Sequence, residues 1–298
     1  MNDMRIQTVT VAGGGTLGSQ IAYQTAYAGK HVTIYDINDE ALTAAKNRLQ
    51  RLDASYQGDM HATQADLDET HARIQVTSDP NTAFGNVDLV IEAIPEVTTI
   101  KTDFYHLISG IADARTIFAS NSSTFLPSQF ADQTDRPSQF ANLHFANQIW
   151  KHNTAEIMGH PGTDPKVIAT LTTFAHEISM VPIVVQKEQP GYVLNSLLTP
   201  FLENAAYLWG EDIATPQTVD KTWMIDGGAP MGPFATIDLV GLRTFFNITQ
   251  ERQGDNPAFK KTLAKVQQMI DDGNLGLESG HGFYTYPDPA YQQTDFLA

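Results

Sequence analysis

A chain of 298 residues with 34 acidic against 18 basic side chains carries a formal charge of −16, which argues against nucleic acid or an anionic membrane as a partner. It has no cysteine, which excludes disulfides and thiolate chemistry, and no apolar run approaches the roughly 20 residues that span a bilayer. The apolar share of 42% suits a globular protein of one large or two ordinary domains, and with a polar stretch at residues 1–5 and no secretory segment a cytoplasmic location is expected.

The first element is a strand, VTVA from Val9, running into Gly13-x-Gly15-x-x-Gly18 and a helix-compatible run over 19–28. Strand, tight turn and helix N-terminus are thus written consecutively. Gly13 suits the turn, Gly15 lets a backbone approach a pyrophosphate, and Gly18 lets the helix sit close on the strand. A second strand over 31–35 ends in Asp36, about twenty residues beyond the glycines, where a carboxylate accepts hydrogen bonds from ribose hydroxyls. It would repel a 2′-phosphate, and Ile37 and Asn38 supply no cation to offset that. This context, more than the glycines alone, predicts an NAD site that includes Gly13, Gly15, Thr16, Leu17, Gly18 and Asp36.

Asn38 and Asp39 can cap a helix over 40–52, with a break at 57–59 and a second helical segment over 63–72. A short strand follows at 74–77, then a turn and short helix from Asp79-Pro80. VDLVIEA over 87–93 reads as a fully buried parallel strand. The spacing then predicts a helix over 99–111, strands at 116–119, 140–144 and 154–158, a helix over 165–177 and a last strand at 181–185. Past Pro190-Gly191 only helices are expected, over 192–209, 215–225, 234–251 and 256–272. The pattern predicts an α/β protein, with a doubly wound domain over 1–188 that carries a helical excursion at about 38–73. An all-α domain follows over 189–298.

The chain resembles the 3-hydroxyacyl-CoA dehydrogenase family, which includes relatives acting on free hydroxy acids such as L-gulonate and carnitine. The resemblance spans nearly the whole length. It rests on the glycine turn with Asp36, IEAIPE at 91–96 with Lys101, ASNSS at 119–123, HFAN at 144–147 with Glu156, GYVLN at 191–195, MGPF at 231–234 and GHGFY at 280–284. It implies a Rossmann-like N-terminal domain, a helical C-terminal domain that forms a homodimer, and an active site in the cleft between them.

Oxidising a secondary alcohol with NAD needs a base for the hydroxyl proton, and histidine suits that near neutrality. His144 ends a predicted strand, at the edge where open α/β sheets bind ligands. By resemblance His144 and Glu156 are the catalytic pair, while Ser123 and Asn195 are hydrogen-bond donors around the reacting oxygen. Glu96 and Lys101 match cofactor-contacting positions, although their spacing also fits a surface ion pair. Asn121 is expected on the nicotinamide side, or else is a turn asparagine. No metal site is expected.

Two departures bear on the substrate. Where acyl-CoA enzymes of the family read His-Phe-Phe-Asn-Pro, this chain reads HFANQ and continues Trp150-Lys151-His152. Lys151, with or without His152, is a candidate for holding a substrate carboxylate; the alternative leaves both in solvent. The excursion, lysine-rich in those enzymes, here sets Lys46, Arg48, Arg51 and Arg73 against seven acidic residues. Lys46, Arg48 and Arg51 permit a partial cluster for the phosphates of CoA. The expected substrate is a small molecule, a short 3-hydroxyacyl-CoA in the leading reading, as in fatty acid metabolism. A free 3-hydroxy acid is the alternative, and a non-catalytic NAD-binding role is the competing class.

Overall fold

The computed structural model describes residues 5–298; residues 1–4 of the polar N-terminal stretch lie outside them. In chain order the first unit contains β1 (Thr8–Ala12), α1 (Thr16–Tyr27), β2 (His31–Tyr35), α2 (Asp39–Met60), α3 (Gln64–Ala72), β3 (Ile74–Thr77), α4 (Pro80–Phe84) and β4 (Leu89–Glu92). It continues with α5 (Thr98–Ser109), β5 (Ile117–Ser120), β6 (Phe140–Phe145), β7 (Thr154–Gly159), α6 (Pro165–Glu177) and β8 (Val181–Val185). The strands form one sheet in the order β3-β2-β1-β4-β5-β6-β7-β8, parallel throughout except for the antiparallel pair β6–β7. β4 and β5 are buried along their whole length, as strands covered by helices on both faces must be. The crossovers reverse direction beside β1, so the C-terminal ends of β1, β4 and β5 open on the crevice where such sheets take ligands.

The second unit holds α7 (Leu194–Gly210), α8 (Pro216–Gly227), α9 (Pro233–Val240), α10 (Leu242–Gln253) and α11 (Lys260–Asp271), and the division falls between Val193 and Leu194. Its core gathers Leu202, Ala206, Phe234, Ile237, Leu242, Phe245 and Val266. The α/β unit followed by a helical one is the architecture expected from the sequence.

Two helix boundaries differ from expectation. α2 runs unbroken through residues 57–59 and ends at His61 in a left-handed conformation, φ 56°. Tyr56 explains the continuity: fully buried, it packs on Tyr23 and Tyr27, so tertiary contact outweighs the glycine that follows it closely in sequence. Conversely, the single helix expected over 234–251 is two. Gly241, at φ 89° and ψ 133°, ends α9, and the N–H of its neighbour Leu242 donates to Leu275 O at 3.3 Å rather than continuing the helix.

Candidate active site

The glycine turn is built by close approach. Gly13 adopts φ 100° and its N–H donates to Tyr35 O at 2.8 Å; a Cβ there would stand 2.4 Å from Ala93 O. A Cβ on Gly18 would meet Gly13 O at 1.9 Å. Around Gly15, by contrast, a Cβ would find nothing within 4 Å, so this glycine faces open space. Gly15 is also the N-cap of α1, which has no side-chain cap and no acidic residue in its first turn. Its free N–H groups and positive dipole end suit an anion. The residues present therefore fit the pyrophosphate of a dinucleotide.

Asp36 braces the turn directly. Its Oδ2 accepts Gly14 N and its Oδ1 accepts Ile37 N, both at 2.8 Å, so it also ties the turn to the end of β2. Gly14 packs on α2: a Cβ there would be 2.6 Å from the Ala45 Cβ. Arg48, one turn further along α2, donates from Nη1 to Gly14 O at 3.0 Å. A cation thus does stand beside this turn, contrary to what the residues following Asp36 alone imply; it comes from a helix rather than from the loop. Arg51 donates to Asn47 O of its own helix at 3.2 Å. Arg48 is thus turned to the glycine turn, while Arg51 stays on its own helix.

A cleft of about 200 Å³ is lined by residues 15–18, 92–94 and 121–123 with Glu96 and Lys101. Glu96 and Lys101 are no surface pair. Lys101 is 1% exposed and bridges Glu92 Oε1 at 2.6 Å and Glu96 Oε2 at 3.1 Å. Glu92, fully buried, received no role from the sequence although it lies inside IEAIPE; a charged residue closing an otherwise apolar strand was the available signal. Glu96 Oε1 in turn accepts Ser122 Oγ at 2.6 Å and Ser123 N at 3.0 Å. Asn121 lines the cleft and uses its Oδ1 to accept Phe145 N at 2.9 Å, joining the ends of β5 and β6.

The antiparallel register sets His144 opposite Glu156. His144 Nδ1 lies 3.0 Å from Glu156 Oε2 and Nε2 lies 3.1 Å from Ser123 Oγ. With the carboxylate accepting from Nδ1–H, the neutral ring turns the Nε2 lone pair toward Ser123. Glu156 Oε1 also accepts Val193 N at 2.9 Å. Tyr192 was not singled out by the sequence. Its ring stacks on His144, centroids 4.6 Å apart and planes 14° from parallel, and its hydroxyl donates to Ser122 O at 2.6 Å while accepting from Asn142 Nδ2 at 2.8 Å. Burial pushes its phenol pKa up, so it stays neutral. Its φ of 53°, next to Gly191 at 80°, is an uncommon conformation for an aromatic residue and puts the ring over the imidazole. Of the four expected catalytic residues, His144, Glu156 and Ser123 come together in the first unit; Asn195 stands in the first turn of α7, in the second.

In the loop after His144, Lys151 has a partner within the chain. Its Nζ pairs with Asp59 Oδ1 at 2.9 Å, and Trp150 Nε1 donates to Asp59 Oδ2 at 2.9 Å. Hydrogen bonds from Trp150 and Lys151 hold the Asp59 carboxyl below its usual range. Lys151 therefore answers a carboxylate of its own chain, on α2. Gln20 of α1 fixes the base of the loop, accepting Gln148 N at 2.8 Å.

Residues 8–189 match the family model for the NAD binding domain of 3-hydroxyacyl-CoA dehydrogenase, and residues 191–286 match that for its C-terminal domain. The chain is 30% identical over 289 residues to the mitochondrial hydroxyacyl-coenzyme A dehydrogenase of Sus scrofa, covering 94% of this chain and 91% of that one. It is 30% identical to the probable 3-hydroxybutyryl-CoA dehydrogenase of Bacillus subtilis, covering 96% and 99%. Among solved structures, a diketoreductase described for dual catalysis of dicarbonyl compounds superposes with a TM-score of 0.91 at 47% identity, covering 95% of this chain and all of that one. The glycine turn with its open Gly15, Asp36 at the end of β2 and both matched domains lead to one conclusion: this chain belongs to the 3-hydroxyacyl-CoA dehydrogenase family and is an NAD-dependent oxidoreductase.

Proposed function

We propose that the protein interconverts a secondary alcohol and a ketone in a compact substrate that carries a second carbonyl two carbons along, a 1,3-dicarbonyl compound in its oxidised form. The observation that carries the reaction is the row Ser123–His144–Glu156, spaced at 3.1 and 3.0 Å. When bound, NAD supplies the hydride acceptor for oxidation and, reduced, the hydride for ketone reduction. His144 Nε2 takes the hydroxyl proton in one direction and returns it in the other. Glu156 keeps Nδ1 protonated and stabilises the imidazolium that forms. Ser123 Oγ donates to the oxygen that gains charge. Tyr192 holds the ring plane, so the lone pair keeps its aim.

Two observations support the compact substrate. The diketoreductase likeness is high in identity and complete in coverage. Two of the three cations that permit a cluster for CoA phosphates are engaged within the chain, Arg48 by Gly14 O and Arg51 by Asn47 O. The second reading, a short 3-hydroxyacyl-CoA, is favoured by the relatives named for that activity. Steady-state NADH oxidation with a free 1,3-diketone, a free 3-oxo acid and acetoacetyl-CoA separates them. The compact reading expects kcat/KM for one of the free compounds to exceed that for the thioester, and the reverse order removes it.

We also infer a homodimer formed by the second unit. Leu197 is 70% exposed, Ile213 62% and Ile225 55%, an apolar burden that a partner surface would relieve. Sedimentation at micromolar concentration should show a dimer that Leu197→Glu weakens; a wild-type monomer contradicts the idea.

A further inference from the structure

The floor of the cleft is a buried carboxylate that proton transfer at His144 leaves unused. Each oxygen of Glu92 is taken: Oε1 accepts Lys101 Nζ at 2.6 Å and Ile94 N at 3.0 Å, and Oε2 accepts Ser120 Oγ at 2.7 Å and Tyr105 OH at 3.0 Å. Four donors on two oxygens are the hydrogen-bond set of an ionised carboxylate. Burial first, and the Glu92 charge after it, raise the Tyr105 pKa well above its ordinary value, so this phenol adds no charge. Lys101 is bonded to both Glu92 and Glu96, which leaves the cluster one negative charge in excess. A buried ion pair rarely improves stability over packed apolar residues, so its place beside the cleft calls for a functional account.

The direction of the cofactor supplies that account. Asp36 and the turn stand at the β2–β1 end, and the cleft leads from residues 15–18 past Glu92, Lys101 and Glu96 to Ser123, whose Oγ is 3.1 Å from His144. The end that exchanges hydride belongs near His144, because hydride and proton leave neighbouring atoms of one alcohol. NAD+ and NADH share their ribose and phosphate groups and differ by one positive charge on the nicotinamide ring.

We propose that Glu92, acting through Lys101 and Glu96, sets a net negative charge at the nicotinamide end of the cleft and so favours NAD+ relative to NADH. This rests on the assignment of His144 to the reacting alcohol. Glu92 is a positioning residue: it anchors Lys101 and, through it, Glu96. Glu96, 41% exposed by side chain, is the member that lines the cleft and can be altered without opening the core.

The test measures equilibrium dissociation constants on the full chain, NADH by its own fluorescence and NAD+ by displacement of NADH. The ratio Kd(NAD+)/Kd(NADH) should rise about 3- to 10-fold in Glu96→Gln, the scale of one partly screened charge, and further in Glu96→Lys. Glu96→Asp, which keeps the charge, should keep the wild-type ratio. Glu92→Gln should move the ratio in the same direction as Glu96→Gln; should that buried variant fail to fold, the Glu96 series alone decides. A purely structural role would weaken both cofactors together and show no ordering by charge, and a constant ratio across the Glu96 series overturns the proposal. If His144→Gln retains full turnover, the site assignment itself fails; if His144→Gln is inactive and the ratios are flat, only this inference fails.

Discussion

The two units each bury carboxylates, and they handle them in opposite ways. In the first, Glu92 is paired with Lys101 at the edge of a cleft. In the second, Asp220 and Asp238 are fully buried and, among the described residues, neither has a cation within ion-pair distance. Asp220 accepts Phe234 N at 2.8 Å, Ala235 N at 3.0 Å and Tyr284 OH at 2.9 Å, and so caps the start of α9 from another helix. Asp238 accepts Phe283 N and Tyr284 N at 2.9 Å and Tyr286 OH at 3.1 Å, fastening the tail. Burial raises both pKa values, against the pull of the backbone donors. A carboxylate surrounded by backbone N–H groups organises chain; one bridged by lysine to a second carboxylate beside an open cleft organises charge.

The sharpest way to test the contrast is to remove a group that meets the reacting atoms. His144→Gln should lower turnover by roughly 10²- to 10⁴-fold while NADH affinity and thermal midpoint stay near wild type, read by steady-state kinetics and titration. In the second unit the damage should fall on stability instead. Asp220→Ala orphans two backbone donors and a phenol, and should cost about 2–4 kcal/mol in denaturant unfolding, with activity per folded molecule retained. If Asp220→Ala instead abolished turnover in a fully folded protein, the division between organising chain and organising charge would fall.

The buried acids also set a pH dependence. Their folded pKa values lie above the ordinary 3.8, so the folded state binds protons more readily than the unfolded chain. Their contribution is fully present below that ordinary value and is lost as pH rises through the raised folded values. Asp238→Asn should flatten this part of the stability profile, measured as unfolding midpoint against pH; an unchanged slope would assign the dependence to other groups.

Smaller effects separate solvent-facing polar groups from both kinds of buried acid. Asp36→Ala should narrow the preference for NAD over NADP by about 10-fold, because it removes the carboxylate that repels a 2′-phosphate. Comparing the two dissociation constants decides it, and an unaltered preference would confine Asp36 to holding the turn. Lys151→Met should change Michaelis constants by less than about 3-fold, because an exposed ion pair with Asp59 contributes little. A tenfold rise for a free 3-oxo acid would restore Lys151 as a carboxylate-binding residue.

Much of the fold was legible because it is locally encoded. Strands at 31–35, 74–77 and 181–185 coincide with β2, β3 and β8, since β-branched and apolar runs bounded by turn residues leave few alternatives. The glycine turn was legible for the same reason: Gly13 and Gly18 stand where a Cβ would strike backbone. His144 and Glu156 were paired by family motif, and the β6–β7 register supplies the physical cause, since directly opposed residues share a face of the sheet.

What the sequence by itself determined, then, is the set of segments whose backbone is decided by their own residues and near neighbours: the strands, the turn, Asp36 at a strand end. Only the tertiary structure decided who meets whom across long separations. Trp150 donates to Asp59 from 91 residues away, and Tyr192 caps Ser122 from 70. Glu92 and Lys101 lie only nine residues apart, yet their burial depends on β5 and α5 closing over them. A side chain's partner is fixed by packing geometry, and packing is a property of the assembled core. That is why Lys151, a free cation in the sequence, is an anchored one in the fold.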